Sequence, residues 1–199
     1  MNSQAVYTSI AMRSRSALLI GAVGLLLGSC ASPAVTTFDL GNASASISSR
    51  SSGGAALTIM EPVALQTFDS NTIVVRAASG DLTMLTDVQW ADRLPRLIQT
   101  QLVRSFENAG RLGRVGRPND GLVTDRQLNT EIRQFNIDST TGEAVVELSV
   151  RVIETLSGRV TKARIFSARV PAGAISGTNA AAVLDSALAK VLAEIVVWA

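Results

Sequence analysis

The chain has 199 residues, of which 47% are apolar and 17% are charged, so it is too apolar for a disordered protein and too interrupted for a polytopic membrane protein. It contains no His and one Cys, which excludes a His-dependent triad, an intrachain disulfide and a Cys-rich zinc site, and we predict no enzyme activity, cofactor or metal. The net charge is +2 and falls to zero, with 16 basic and 16 acidic residues, when residues 1–29 are left out, so nucleic-acid binding is not expected.

Residues 1–29 are predicted to be a signal peptide. Arg13 and Arg15 form a short basic stretch, and residues 17–27 are apolar and uncharged. A membrane-spanning helix needs about 20 apolar residues, so this shorter run is predicted to be the hydrophobic part of a cleaved signal. Met12 is an alternative start, because the residues before it lack signal character.

The apolar run ends in Leu27, Gly28, Ser29 and Cys30. A Leu and two small residues before a Cys resemble the lipobox of bacterial lipoproteins. The resemblance implies diacylglyceryl transfer to Cys30, cleavage before it and acylation of the new amino terminus, with palmitate as an expected acyl group. A free or buried Cys after an ordinary signal peptide is the alternative. Ala31, rather than an Asp, follows Cys30, which by analogy with the sorting rule of enterobacterial lipoproteins favours the outer membrane.

Residues 30–56 are predicted to comprise the lipidated Cys30 and a flexible tether, because Ser and Gly dominate this stretch. Such a tether would span about 28 Å as a coil and at most roughly 85 Å when extended. Within it, residues 37–40 (Thr-Phe-Asp-Leu) are predicted to form a short strand at the edge of the domain. The folded domain is predicted to comprise residues 57–199.

The first half of this domain is predicted to consist of strands followed by a helix. A strand over residues 57–65 is interrupted by Pro62, and residues 72–77 and 82–85 are predicted to form a hairpin. Apolar residues then recur at helical spacing, which predicts an amphipathic helix over residues 91–109. Asp92 is its expected N-cap and Gly110 its expected terminating residue.

Three strands and a helix are predicted to follow, with the strands over residues 127–138, 144–153 and 159–170. In the second of these strands alternate residues are apolar and are predicted to share one face, namely Ala144, Val146, Leu148, Val150 and Val152. The apolar parity changes between Ile132 and Phe135, which indicates a bulge, and Gly158 suits a hairpin turn. The last helix is expected to start at a cap on Thr178 or Asn179 and to end near residue 197. Its predicted apolar stripe comprises Leu184, Ala187, Leu188, Val191, Leu192 and Ile195. The fold class is therefore α+β: a single domain with a mostly antiparallel sheet of about six strands and two helices packed on one face.

Five side chains are candidates for partner binding: Trp90, Arg111, Arg114, Arg117 and Trp198. Tryptophan is common at interfaces, and the three arginines alternate with glycines in a pattern that suits acidic headgroups or an acidic protein surface. Structural roles are the alternatives, in which Trp90 packs under the helix start, Trp198 completes the core, and residues 110–117 form a helix cap, a short strand and a turn. A phosphate-binding or dinucleotide loop does not fit, because the glycines follow a helix rather than open one.

The order of these features resembles the ABC-type transport auxiliary lipoprotein family. The lipobox at Cys30, the motif at residues 37–40, the stretch from Trp90 to Phe106, the strand with Phe135 and the Ala-rich last helix carry the resemblance. It implies a non-catalytic lipoprotein, anchored at the periplasmic face of the outer membrane, that accompanies an inner-membrane ABC permease and ATPase with an MCE-domain protein in lipid transport.

Other possibilities remain open at this point. An outer-membrane lipoprotein that assists lipopolysaccharide export or β-barrel assembly is the alternative function. A domain that itself holds an acyl chain between sheet and helices is compatible with either. A homo-oligomer is also compatible with the family, and the residues do not determine its symmetry.

Overall fold

The computed structural model describes residues 35–41, 55–111, 114–173 and 175–199, without the side chain of Arg111. The signal peptide, Leu27, Gly28, Ser29 and Cys30 lie outside these residues. The described residues form nine strands of one mixed sheet and two α-helices: β1 Thr36–Phe38, β2 Leu57–Ile59, β3 Val63–Ala64, β4 Thr72–Arg76, β5 Leu82–Trp90, α1 Leu94–Phe106, β6 Val115–Gly116, β7 Arg126–Asp138, β8 Glu143–Glu154, β9 Val160–Pro171 and α2 Gly177–Trp198.

Strand β7 is the centre of the sheet. One of its edges pairs along its whole length with antiparallel β8, which pairs in turn with antiparallel β9. Its other edge pairs with three short parallel strands in succession, first β2, then β3 and finally β4. Strand β5 pairs with β4, β1 pairs in parallel with β5, and β6 pairs in parallel with β2.

The predicted mostly antiparallel sheet of about six strands is therefore wrong in both respects. Pro62 separates β2 from β3, as expected of a residue that cannot donate a ladder hydrogen bond. The parallel pairs join segments about 70 residues apart, such as Leu57 and Arg126. Parallel strands need long crossover connections, and no local sequence pattern reports which strand lies beside which.

The hydrophobic core lies between the sheet and the two helices. Alternate residues of β8 face the helices and are buried, as predicted, namely Ala144, Val146, Leu148, Val150 and Val152. The predicted stripe of α2 is buried against β8 and β9, namely Leu184, Ala187, Leu188, Val191, Leu192 and Ile195. Helix α1 adds Ile98, Leu102 and Phe106 to the same cluster.

Both helices begin at positions that differ from the predictions. Helix α1 begins at Leu94, and Arg93 occupies its N-cap position without a side-chain cap. Asp92 accepts the N–H of Arg93 at 2.7 Å and pairs with Arg96 at 3.7 Å, so it does not cap the helix. Tertiary hydrogen bonds set this start, because the N–H of Leu94 donates to the carbonyl of Ser70 at 2.9 Å. Helix α2 is capped by Ser176, whose Oγ accepts the N–H of Asn179, so neither Thr178 nor Asn179 is its cap.

Local predictions of bulges and turns are confirmed. The register of β7 against β8 shifts between Ile132 and Gln134. Gly158 turns the chain between β8 and β9 with φ +69°, and Gly110, with φ +87°, interrupts the π-helical turn that follows α1. Both glycines adopt the left-handed conformation that side chains disfavour. Neither described helix combines the length and apolarity needed to cross a bilayer.

Candidate partner-docking surface

Four separate segments meet at the end of the sheet where β7 begins and β8 ends, which we call the tip. The N–H of Thr155, after β8, donates to the carbonyl of Asp125, before β7, at 2.9 Å. The N–H of Leu57 donates to the carbonyl of Arg114 at 2.8 Å. Lys162, near the start of β9, reaches the C-terminal end of α2. The tip therefore combines the loop before β7, the turn after β8, residues 114–116 and the last turn of α2.

The tip carries the most exposed large apolar side chains among the described residues. Leu156 in the β8–β9 turn is 98% exposed, Val123 in the loop before β7 is 92% exposed, and Val197 in the last turn of α2 is 73% exposed. Exposed apolar residues that come from several segments and gather at one end are typical of an interaction surface. The sequence analysis missed Leu156 and Val123, although an apolar residue inside a polar turn is a signal that could have identified both.

Trp198 lies at the side of the tip and is partly buried. Its ring packs edge-on against Phe166, with 5.3 Å between the ring centroids. Lys162 Nζ lies 5.6 Å from the Trp198 centroid and donates to the carbonyl oxygens of Trp198 at 2.7 Å and Ala199 at 3.2 Å. These contacts hold the indole in place beside a shallow groove of about 480 Å³ that is also lined by Arg164, Ala193, Glu194 and Val197.

The segment with alternating glycines and arginines is partly structural. Residues 115–116 form the buried strand β6, and Arg117 is held against α1, because its Nη2 donates to Thr100 Oγ1 at 3.1 Å. Its N–H also donates to Asp120 Oδ2 at 2.6 Å, which closes the following turn. Arg114 is exposed at the tip, whereas the side chain of Arg111 lies outside the described part of the structure. Arg114 is thus the arginine of this group that the structure places at the surface of the tip.

Trp90 belongs to the core. Its side chain is 1% exposed and packs edge-on against Phe135, with 6.0 Å between the centroids. The residue ends β5 directly before the start of α1. The structure therefore supports the alternative in which Trp90 packs under the helix start, and the indole offers no surface to a partner.

A second concave region lies on the sheet face opposite the helices, where Pro62 separates β2 from β3. It encloses about 250 Å³ and is lined by residues that include Val63, Asn129, Glu131 and Arg151. The side-chain oxygen of Asn129 is buried there without a hydrogen-bond partner. The region is shallow, and its carboxylates do not form a metal-binding group, since no such group of three or more ligands occurs in the described residues.

The perturbed ionisable groups lie outside the tip. The pKa of Arg93 is raised above its usual value mainly because Asp69 accepts a hydrogen bond from its side chain, and Arg93 also pairs with Glu61 at 3.2 Å. The pKa of Asp138 is lowered mainly by the N–H of Thr140, which donates to its carboxylate in the β7–β8 turn. Both groups stabilise local structure, at the start of α1 and in a turn.

Fold and surface together define a small α+β domain with an exposed apolar tip. The chain belongs to the family of ABC-type transport auxiliary lipoprotein components, whose family model matches residues 38–196. The resemblance inferred from the sequence is therefore confirmed. Membership indicates a lipid-anchored protein of the cell envelope, and an auxiliary component is expected to act without catalysis.

Other proteins are similar to this chain in sequence or in fold. The uncharacterized protein bll6063 of Bradyrhizobium diazoefficiens is 33% identical over 146 residues, which cover 72% of this chain and 39% of that protein, so this chain spans about two-fifths of its relative. The crystal structure of protein XCC0632 from Xanthomonas campestris is similar with a TM-score of 0.67 and 26% identity, covering 83% of this chain and 91% of that one. Another crystal structure, of an uncharacterized protein, shares the fold at a TM-score of 0.65 and 15% identity, covering 83% and 98%.

Proposed function

We propose that the protein is the lipid-anchored, non-catalytic auxiliary component of an MCE-type ABC lipid-transport system. The observation that carries the proposal is the family match over residues 38–196, which includes the last residue of β1, all the other described strands, all of α1 and nearly all of α2. Its partners are an inner-membrane permease and ATPase together with an MCE-domain protein. The partner ATPase supplies the energy of transport, and this chain contributes a docking domain.

The anchor in this proposal is Cys30, acylated after cleavage at the lipobox of Leu27, Gly28 and Ser29. Two or three acyl chains attach a protein durably to a bilayer, whereas one chain gives only marginal binding. The anchored domain lies at the periplasmic face of the outer membrane. Attachment to a membrane confines the docking surface to a thin layer and so raises its effective concentration for a partner in the envelope.

The docking surface in this proposal is the tip together with the Trp198 groove. An interface commonly has an apolar centre and a polar rim, and Leu156, Val123 and Val197 supply apolar side chains here. The polar groups beside them carry both signs, since Arg159 pairs with Glu154 at 4.0 Å and Lys162 donates to the carbonyls of Trp198 and Ala199, so the partner surface is expected to be apolar with a mixed polar margin. The core between sheet and helices is filled by side chains from both layers, which favours docking over storage of an acyl chain there.

The test is to solubilise the envelope in mild detergent, capture the tagged lipoprotein and identify associated proteins by mass spectrometry. We expect an ATPase, a permease and an MCE-domain protein to be recovered with the unaltered chain. The Leu156→Asp variant should lose them, while the matched variant Leu65→Asp, at a residue that is also exposed but lies away from the tip, should retain them. Recovery of a β-barrel or assembly factor without the ATPase would contradict the proposal and favour the alternative function.

A further inference from the structure

The chain enters the folded domain at β1, which precedes the Ser-rich segment of residues 42–54. Residues Thr36–Phe38 pair in parallel with Val88–Trp90, and the carbonyl of Phe38 accepts the N–H of Ala91 at 2.7 Å. Leu40 is completely buried, and its carbonyl accepts a hydrogen bond from Gln101 Nε2 in α1. Residues 42–54 therefore connect β1 to β2, two strands of the same sheet, rather than linking a lipid to the domain.

This connectivity limits how far the domain can lie from its anchor. If Cys30 carries the lipid, as in the proposed function, residues 31–35 alone separate it from β1. Because an extended chain advances about 3.3 Å per residue, the Cα atoms of Cys30 and Thr36 lie within roughly 20 Å of each other. A free tether that ended at residue 56 would have allowed roughly 85 Å. The lipid therefore holds the domain at the bilayer surface.

The surface around the start of β1 is partly apolar. We call it the β1 edge and define it by Val35, Met84 and Ile175, whose exposed fractions lie between 42% and 50%. Val35 directly precedes β1, whose first residue Thr36 is in register with Val88. Ile175 is two residues before Gly177, whose Cα lies close to the Val88 side chain. Met84 precedes Val88 by four residues on β5.

The β1 edge and the tip lie at opposite ends of the sheet. Met84 pairs with Val74, which pairs with Asn136 near the end of β7. Leu156 lies just beyond Glu154, which pairs with Arg126 at the start of β7. Ten residues of β7 separate Arg126 from Asn136, which corresponds to about 30 Å along the strand. A bilayer that contacts one of these surfaces leaves the other directed away from it.

We propose that the β1 edge rests on the bilayer that holds the acylated Cys30, and that the tip is directed away from this bilayer towards the partner. This inference depends on the acylation in the proposed function. The short segment of residues 31–35 supplies the proximity, and Val35, Met84 and Ile175 supply apolar contact. Arg76 is the basic residue of the adjoining hairpin and is accompanied by Asp81 and Asp87. Contact should therefore be insensitive to salt, unlike attraction between cations and anionic lipids.

The test uses the full lipoprotein in vesicles of phosphatidylethanolamine and phosphatidylglycerol. Because Cys30 is the one native Cys and is acylated, a fluorophore can be attached to a new Cys in the variants Met84→Cys, Ile175→Cys or Leu156→Cys. With brominated lipids as quenchers, we expect the fluorophore to be quenched at Met84→Cys and at Ile175→Cys. The fluorophore at Leu156→Cys should not be quenched. Stronger or equal quenching at Leu156→Cys would overturn the orientation.

A linker variant separates the effect of proximity from that of intrinsic affinity. Insertion of a flexible Gly-Ser segment of about 20 residues after residue 33 should keep the protein on the vesicles while reducing quenching at both edge positions. The inference would be overturned if the insertion left the quenching unchanged and the labels at all three positions were quenched equally. Mass spectrometry of the same samples reports acylation: an acylated protein with the wrong quenching pattern contradicts the orientation alone, whereas an unacylated Cys30 contradicts the anchoring in the proposed function as well.

Discussion

The β1 edge and the tip both expose apolar side chains, but they differ in what surrounds them. The β1 edge adjoins the short segment that follows Cys30, and its neighbours include Asp81 and Asp87. The tip is built from four segments, carries the more exposed side chains and has charges of both signs beside them, such as Arg159 paired with Glu154. Apolar exposure by itself marks a surface as an interaction site without identifying what covers it. The route of the chain distinguishes the two surfaces, because the β1 edge adjoins the segment that follows Cys30 and the tip does not.

Replacing Trp90 should have the largest effect, because this side chain belongs to the core near the β1 edge and to neither docking surface. Trp90→Ala is expected to lower the free energy of unfolding by about 3–5 kcal/mol, since it removes a buried indole and leaves a cavity. Urea denaturation followed by circular dichroism measures the change. Trp198→Ala, at a partly buried position, is the control and should cost less. A stable Trp90→Ala protein that loses its partners would restore Trp90 as an interface residue.

Replacing Gly177 tests how closely α2 packs at the β1 edge. A Cβ at this position would clash with Val88 Cγ1 and lie 2.8 Å from Val88 Cγ2. The Val side chain has one strongly preferred rotamer and yields little, so Gly177→Ala is expected to cost about 1–3 kcal/mol in the free energy of unfolding. Gly41→Ala, where a Cβ would meet nothing within 4 Å, should be neutral. Equal unfolding midpoints for the two variants would show that the edge is loosely packed.

Charges placed at the tip should change binding and leave folding intact. The double variant Val123→Asp with Leu156→Asp replaces two solvent-exposed side chains, so its free energy of unfolding should change by less than about 0.5 kcal/mol. Binding to the partner complex should weaken by about tenfold or more, because the variant buries uncompensated charge in the interface. Quantitative capture on immobilised partner measures this. Normal binding by a folded double variant would remove the tip as the docking surface.

The smallest effect is expected in the β7–β8 turn, at the opposite end of β7 from the tip. Asp138 has a lowered pKa because its carboxylate accepts the N–H groups of Thr140 and Thr141, so it stabilises the folded state above its unfolded pKa of about 3.8. This contribution is lost as the pH falls through the still lower pKa of the folded state. Asp138→Ala should therefore be less stable than the unaltered protein at pH 7, and the difference should shrink towards pH 3.

Asp138→Asn is the control for this titration. The Asn amide oxygen can still accept both N–H groups, but the side chain does not ionise. The free energy of unfolding of Asp138→Asn should therefore differ little from that of the unaltered protein around neutral pH. Unfolding midpoints in urea between pH 3 and pH 7 provide the comparison. A difference between Asp138→Ala and the unaltered protein that does not vary with pH would exclude the carboxylate as its source.

Local patterns predicted much of the fold. The alternation of Ala144 with Val146 and Leu148 predicted the buried face of β8, because side chains on a strand point to opposite faces in turn. The parity change between Ile132 and Phe135 predicted the bulge in β7, and Gly158 predicted the turn after β8. These features depend on neighbours within a few residues, and such neighbours are visible in a linear sequence.

The candidate site was predicted less well. Trp90 and Trp198 have the same side chain and both lie beside a helix boundary, yet one is buried and the other lies beside a surface groove. Leu156 and Val123 are far apart in sequence and become neighbours of one surface because β8 pairs antiparallel with β7 and the N–H of Thr155 extends this pairing to Asp125. A surface formed by several segments has no contiguous motif, so single residue types could not identify it.

The sequence by itself determined the family, the alternating strand β8, the apolar stripe of α2 and the lipobox pattern at Cys30, because each depends on residue types at fixed short spacings. Only the tertiary structure decided that β2, β3 and β4 run parallel to β7 and that residues 42–54 connect two strands of one sheet. Hydrogen bonds between strands that are distant along the chain select this arrangement. Leu40 is buried, and its carbonyl accepts a hydrogen bond from Gln101, which holds the segment after β1 against the domain. Composition does not encode that contact.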